Sequence, residues 1–282
     1  MVPPSATQPQ DLAVAIDLAR QAGAIVLKHY AADFTVQYKD AAGSDPVTQA
    51  DKDANDVIVR GLRQAFPKDG ILAEESTDSA ARLACDRLWC IDPLDGTREF
   101  VERNGQFVVM IGLAIAGEAH LGVVYQPTED ILWWGANGQA KQVDAAGKVT
   151  SLAPSLCHDA SKARMMVSRS HRSQSVSAVA TELGISQQRP MGSVGLKVAQ
   201  IALSLAEIYL SVTDRTKEWD ACAPEAILRA AGGTMTDILG QPLRYNKTKP
   251  NTPRGMLASN GVFHTRCIEA LKPLVKSKGW ES

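Results

Sequence analysis

An α/β fold in two lobes is what this sequence predicts, and three observations predict it. Amphipathic helical runs open the chain, β-prone runs joined by short turns fill its middle, and strands alternate with helices to the end. The boundaries place an N-terminal α+β lobe at 10–150 and a C-terminal α/β lobe at 160–275, forming one unit over 1–282.

The elements follow in order. Asp11–Tyr30 carries Leu12, Ala15, Ile16, Ala19, Ala22, Ile25 and Val26 at helical spacing. Phe34–Lys39 reads as extended, and Asp40–Pro46 as a polar loop. Val47–Phe66 is a second helix with Val57, Ile58 and Leu62 on one face, stopped by Pro67. Gly70–Ala73 is a short strand running into Glu74-Glu75-Ser76, and Thr77–Asp86 is a polar linker. Phe107–Ala116, His120–Gln126 and Ile131–Gly135 read as an antiparallel meander, and Asn137–Leu156 as a hairpin and connector.

The second half alternates. Ala163–Ser168, Glu207–Val212, Thr234–Thr236 and Met256–Ala258 are strands. Val176–Leu183, Ser193–Leu205, Asp220–Ala231 and Val262–Lys272 are helices, the third ended by Gly232-Gly233. Asp220 opens its helix as a candidate N-cap, and Pro224 requires it to lie near the first turn.

Bulk properties narrow the function classes. A net charge of −1 argues against a nucleic-acid-binding surface. No apolar run reaches the roughly 20 residues that span a bilayer. Met1–Gln10 lacks a basic-then-apolar leader pattern, and the 5 cysteines form no C-x-x-C pair, so reduced thiols in a cytoplasmic protein are expected. Each cysteine lies in or near an apolar run and is read as a small core residue.

One stretch organises the rest, Trp89-Cys90-Ile91-Asp92-Pro93-Leu94-Asp95-Gly96-Thr97. An apolar run delivers two aspartates to a proline-stiffened segment ending in glycine, where both carboxylates can converge on one point. Like charges so placed repel unless a cation lies between them, and Mg²⁺ takes oxygen ligands of this kind. Asp-Pro and Asp-Gly are also ordinary turn dipeptides, so the stretch alone reads equally as metal site or turn. Further acids stand at element ends, at Asp51, Glu74-Glu75 and Asp220. An early acid such as Asp51 also suits a helix dipole.

Taken together, Glu-Glu-Ser, Asp-Pro-Leu-Asp-Gly-Thr and Trp-Asp-x-x-Ala-Pro-Glu resemble the inositol monophosphatase superfamily over about 45–240. The resemblance implies a layered α-β-α-β-α sandwich and a lithium-sensitive phosphomonoesterase with two or three Mg²⁺ ions per site. It implies Glu74, Asp92, Asp95, Asp220 and the Leu94 carbonyl as metal ligands, with Glu75 further out. Thr97 and Asp51, with Glu74, would activate the attacking water, and the N–H groups of Gly96 and Thr97 would hold the phosphate. The implied partner is a small-molecule phosphate ester rather than a nucleic-acid polymer, and a homodimer is compatible with it.

Within that superfamily, three local features resemble the 3′(2′),5′-bisphosphate nucleotidases. They are Thr97–Phe100 with Arg103–Phe107, Ser168-Arg169-Ser170-His171, and Gly195-Leu196-Lys197. Ser168, His171, Lys197 and Asp220 would then contact substrate, Lys197 meeting a second phosphate. A solvated Lys197 and a capping His171 are the plainer alternatives. The nucleotidases commonly carry Ser-Ser before Leu-Lys, where Ser193 is here followed by Val194-Gly195, and an arginine near Ser211, for which Arg215 stands nearby. An inositol 1-phosphatase or broad sugar-phosphate phosphatase would use the same acids with different walls. A non-catalytic metal- or nucleotide-binding scaffold would lack a ligand or Thr97, and none is missing.

Overall fold

The computed structural model describes residues 7–39, 46–170 and 173–280. In chain order its N-terminal part is α1 (Pro9–Ala31), β1 (Gln37–Tyr38), β2 (Pro46–Val47), α2 (Gln49–Ala65), β3 (Gly70–Ala73), β4 (Arg87–Asp95) and α3 (Thr97–Val101). A meander follows: β5 (Val108–Ile115), β6 (Glu118–Gln126), β7 (Ile131–Ala136), β8 (Gln139–Val143) and β9 (Val149–Ser151). The remainder is β10 (Arg164–Ser168), α4 (Gln174–Leu183), β11 (Gln187–Met191), α5 (Val194–Ala202), β12 (Ile208–Ser211), α6 (Glu218–Ala231), β13 (Thr234–Thr236), β14 (Met256–Ser259) and α7 (His264–Ser277).

These stack as α-β-α-β-α. α1 and α2 cover one face of a seven-stranded sheet ordered β3-β4-β5-β6-β7-β8-β9. α5 and α6 lie between that sheet and a five-stranded one ordered β11-β10-β12-β14-β13, and α4 with α7 closes the far side. All of β5 is buried because both its faces are covered: Val108, Met110 and Ala114 face the middle helices, while Val109, Ile111 and Leu113 face α1 and α2. Such double burial produces the unbroken apolar run seen in its sequence.

Several boundaries differ from the sequence reading, each for a local reason. β11 was not anticipated, because Gln-Gln-Arg-Pro-Met has no apolar alternation; as an edge strand it tolerates both the polarity and Pro190. α2 starts at Gln49, with Thr48 as its cap and Val47 in β2. α6 starts at Glu218, so Asp220 is its third residue rather than its cap, and Pro224 sits in the second turn. There Pro224 withholds the N–H that would bond the Asp220 carbonyl. The linker 77–86 contains a 3₁₀ turn, Ala80–Ala84, whose buried Arg82 grips Asp78 at 2.6 Å and Asn246 at 3.0 Å. The segment 92–95 is not a turn but the end of β4.

α6 rests directly on sheet backbone. Gly112, Gly122 and Gly135 are register partners across β5, β6 and β7. A Cβ on Gly122 would lie 2.1 Å from the Ala223 carbonyl oxygen, and one on Gly135 2.5 Å from the Ile227 Cα. Gly122→Ala is therefore expected to cost about 2–3 kcal/mol through overpacking against backbone that cannot rotate away. Thermal denaturation checks it: an unchanged Tm would mean that the helix is free to lift.

Candidate active site

The end of β4 builds the site. Register pairs Asp92 with Met110 but Asp95 with Val108, so one extra residue bulges out of β4. Strand side chains alternate faces, and residues three apart would ordinarily point oppositely. The bulge cancels that. Met110 and Val108 both face the middle helices, and so do the two aspartates opposite them. Pro93 fits here because a bulged position need not donate to the ladder. Gly96, at φ 101°, then turns the chain into α3, where a Cβ would come within 2.9 Å of the Gln106 carbonyl.

Other elements bring their acids to the same end. β3 pairs in parallel with β4 and continues through the bond from Glu74 N to Ile91 O, setting Glu74 beside the β4 acids. α6 presents Asp220 from its first turn, where one carboxylate oxygen accepts the Lys217 N–H at 2.7 Å. α2 presents Asp51, 2% exposed, whose Oδ2 accepts from the Thr48 N–H at 2.8 Å and the Thr48 hydroxyl at 2.7 Å. Its Oδ1 lies 3.1 Å from Thr97 Oγ1, which lies 3.2 Å from the Leu94 carbonyl oxygen. Leu94 N–H in turn donates to Asp92 Oδ1 at 3.0 Å.

Electrostatics ties these acids together. Burial drives the Asp92 carboxyl well above its ordinary range, and the charges of Glu74, Asp95 and Asp220 add to it. Asp220 is raised by burial, then by Glu74 and Asp95. Burial lifts Glu74 to about 7 against the pull of Lys39, with Glu75 and Asp51 pushing it further. Asp51 is lifted to about 6, again chiefly by burial, which its bonds to Thr48 and Thr97 only partly offset.

Lys39 had no place in the sequence reading. Its ammonium donates to Glu74 Oε1 at 2.7 Å and also to Glu75. Among the described residues no three His, Cys, Asp or Glu side chains are grouped tightly enough to hold an ion as they stand. The donor set nevertheless fits a hard divalent cation. It is all oxygen, the neighbouring acids raise the proton affinity of Asp92 and Asp220, and a lysine already supplies positive charge at Glu74.

Beyond the acids lies a cavity of about 570 Å³. It is lined by Asp95, Gly96, Thr97 and Asp220 together with Ser168, Ser170, Val176, Gln188, Leu210, Ser211 and Arg215. Lys197 also lines it and is 4% exposed, so the solvated alternative does not hold. Its Nζ lies 3.5 Å from the Met191 carbonyl and 5.1 Å over the Tyr209 ring. Among the described residues no carboxylate comes within ion-pair distance of it. Burial lowers its proton affinity, opposed by Asp95, Glu99 and Asp220. His171 lies outside the described residues.

Two residues that the sequence offered only as members of motifs, without a role, hold the site together. Ser193 donates to Asp95 Oδ2 at 2.5 Å, and the side chain of Gln106 accepts the Gly192 N–H at 2.8 Å. Their signals were the run Gly192-Ser193-Val194-Gly195 ahead of Lys197 and the motif Arg103–Phe107.

Acids and a buried ammonium thus line one cavity. The inositol monophosphatase family profile matches residues 8–276, and the chain belongs to that family. It is 35% identical over 246 residues to the 3′(2′),5′-bisphosphate nucleotidase CysQ of Escherichia coli K12, covering 86% of this chain and 95% of the relative. It is 33% identical over 246 residues to mouse inositol monophosphatase 2, covering 82% and 80% of the two chains. Among solved structures, CysQ from Bacteroides thetaiotaomicron superposes with a TM-score of 0.75 at 28% identity, covering 89% and 97% of the two chains. The α-β-α-β-α order is that of this family, and the chain is a phosphatase. No helix among the described residues is long and apolar enough to cross a membrane.

Proposed function

We propose that this phosphatase removes the 3′-phosphate of adenosine 3′,5′-bisphosphate, giving AMP and inorganic phosphate, with Mg²⁺ as cofactor. The observation that carries the reading is Lys197, a buried ammonium lining the same cavity as Asp95 and Asp220. Burying a charge is costly unless an anion meets it, and a second substrate phosphate is such an anion. Arg215 at the same cavity adds a second cation. The similarity to CysQ enzymes over most of both chains supports the same substrate.

Glu74, Asp92, Asp95, Asp220 and the Leu94 carbonyl would hold two or three Mg²⁺ ions. Bound there, they supply charge neutralisation at the phosphate and a water of lowered pKa. The chain's own residues do the rest. The Thr97 hydroxyl donates to Asp51 and keeps a lone pair for the attacking water. As water adds to phosphorus, its proton passes through Thr97 to Asp51, whose carboxyl near 6 suits a base at neutral pH. The P–O bond to the ribose breaks, and the departing oxygen is protonated by solvent. The Gly96 and Thr97 N–H groups would hold the scissile phosphate, Ser168 and Asp220 the nucleoside, and Lys197 its 5′-phosphate.

The test compares kcat/KM with Mg²⁺ for adenosine 3′,5′-bisphosphate and inositol 1-phosphate. A preference for the nucleotide of at least ~10-fold is expected, the worth of one charge-assisted bond. A preference for inositol 1-phosphate would overturn the nucleotide reading in favour of the sugar-phosphate one. No phosphate release from any ester would favour a binding scaffold.

A further inference from the structure

Ser193 occupies a backbone position that suits glycine. Its φ is 54° and its ψ 135°, a conformation that L side chains rarely adopt. Gly192 and Gly195 stand on either side, so glycine is common in this turn, yet position 193 keeps a side chain. A strained residue persists where something else repays it. Here the hydroxyl makes two bonds. It accepts the Leu196 N–H at 3.1 Å, capping α5, and donates to Asp95 Oδ2 at 2.5 Å. The Gly195 N–H donates to the same oxygen at 2.9 Å. Both lone-pair directions of Oδ2 are thereby taken.

We infer that Ser193 is a positioning residue: its hydroxyl, with the Gly195 N–H, locks Asp95 against the start of α5 so that only Oδ1 is presented to the cation site. The turn is anchored in its own right. Gln106 accepts the Gly192 N–H, and a Cβ on Gly192 would meet Glu99 Cγ at 2.3 Å, so the chain is pinned where Ser193 reaches Asp95. One turn further along α5 is Lys197. The same segment thus sets both a β4 carboxylate and the Lys197 ammonium, which line one cavity.

The inference rests on the proposal that Asp95 is a metal ligand, and the test separates the two. Mg²⁺ binding is measured by calorimetry without substrate on the wild type, Asp95→Asn, Ser193→Gly and Ser193→Ala, each with its Tm. Glycine relieves the backbone and weakens the cap little, so its Tm should fall by no more than ~2 °C, while alanine keeps the strain and loses the cap. Both lack the hydroxyl. Both are therefore expected to bind Mg²⁺ about 10–100-fold more weakly, the usual effect of losing a residue that orients a ligand. Wild-type affinity in Ser193→Gly, or affinity losses that follow Tm across the two variants, would overturn the inference while leaving Asp95 a ligand. Wild-type affinity in Asp95→Asn would overturn the ligand assignment itself.

Discussion

Asp95→Asn is expected to lower Mg²⁺-dependent phosphate release by about 10²–10³-fold while the protein stays folded, the size of effect that removing a charge-stabilising group from an active site produces. The two neighbours of Asp95 make the variant a clean one. Ser193 Oγ and the Gly195 N–H both donate to one oxygen, and an asparagine carbonyl can accept both bonds in place. Its NH₂ then faces the site, a donor where a cation needs an anionic oxygen. Near-UV circular dichroism and Tm should match the wild type, and a phosphate-release assay across Mg²⁺ concentrations reads the loss. Full activity would remove Asp95 from the metal-binding set and with it the proposed mechanism.

Lys197→Met is the second large effect, and it is selective. Methionine fills similar volume without the charge, so KM for adenosine 3′,5′-bisphosphate should rise about 10–100-fold, the worth of one charge-assisted hydrogen bond. KM for inositol 1-phosphate, which has no second phosphate to meet the ammonium, should stay nearly constant. Stability is expected to hold or improve, because the free protein no longer buries an ammonium whose nearest acceptor is a carbonyl at 3.5 Å. Equal rises for both substrates would show that Lys197 shapes the cavity generally rather than reading a bisphosphate.

The acids were legible in the sequence because each sits at an element end inside a short rigid motif, and motif spacing survives folding. Asp92 and Asp95 were correctly placed together, though a turn was expected where a β-bulge does the work: spacing three in a strand looks wrong until an extra residue restores the face. Asp220 was found but misplaced, since Glu218 and Trp219 precede it in α6. The meander was readable because β5 to β7 are buried runs, whereas β11 was lost among polar residues. The pairings of Lys39 and Ser193 were invisible for another reason. Each residue acts through a partner more than 30 residues away in sequence, Glu74 for the one and Asp95 for the other, and no local pattern marks such a pairing. Lys197 was read from its run, but its burial follows from packing between two sheets, which periodicity alone cannot reveal.

The stripe formed by Gly112, Gly122 and Gly135 makes the middle strands of the large sheet a determinant of chemistry. A helix cushioned by side chains absorbs small errors as its neighbours change rotamer; one seated on peptide planes has no such give. Any displacement of β6 or β7 is therefore passed through Ala223 and Ile227 to α6, whose first turn carries Asp220. Substitutions far from the cavity, in strands that touch no substrate, should behave in kinetics as though they had been made inside it.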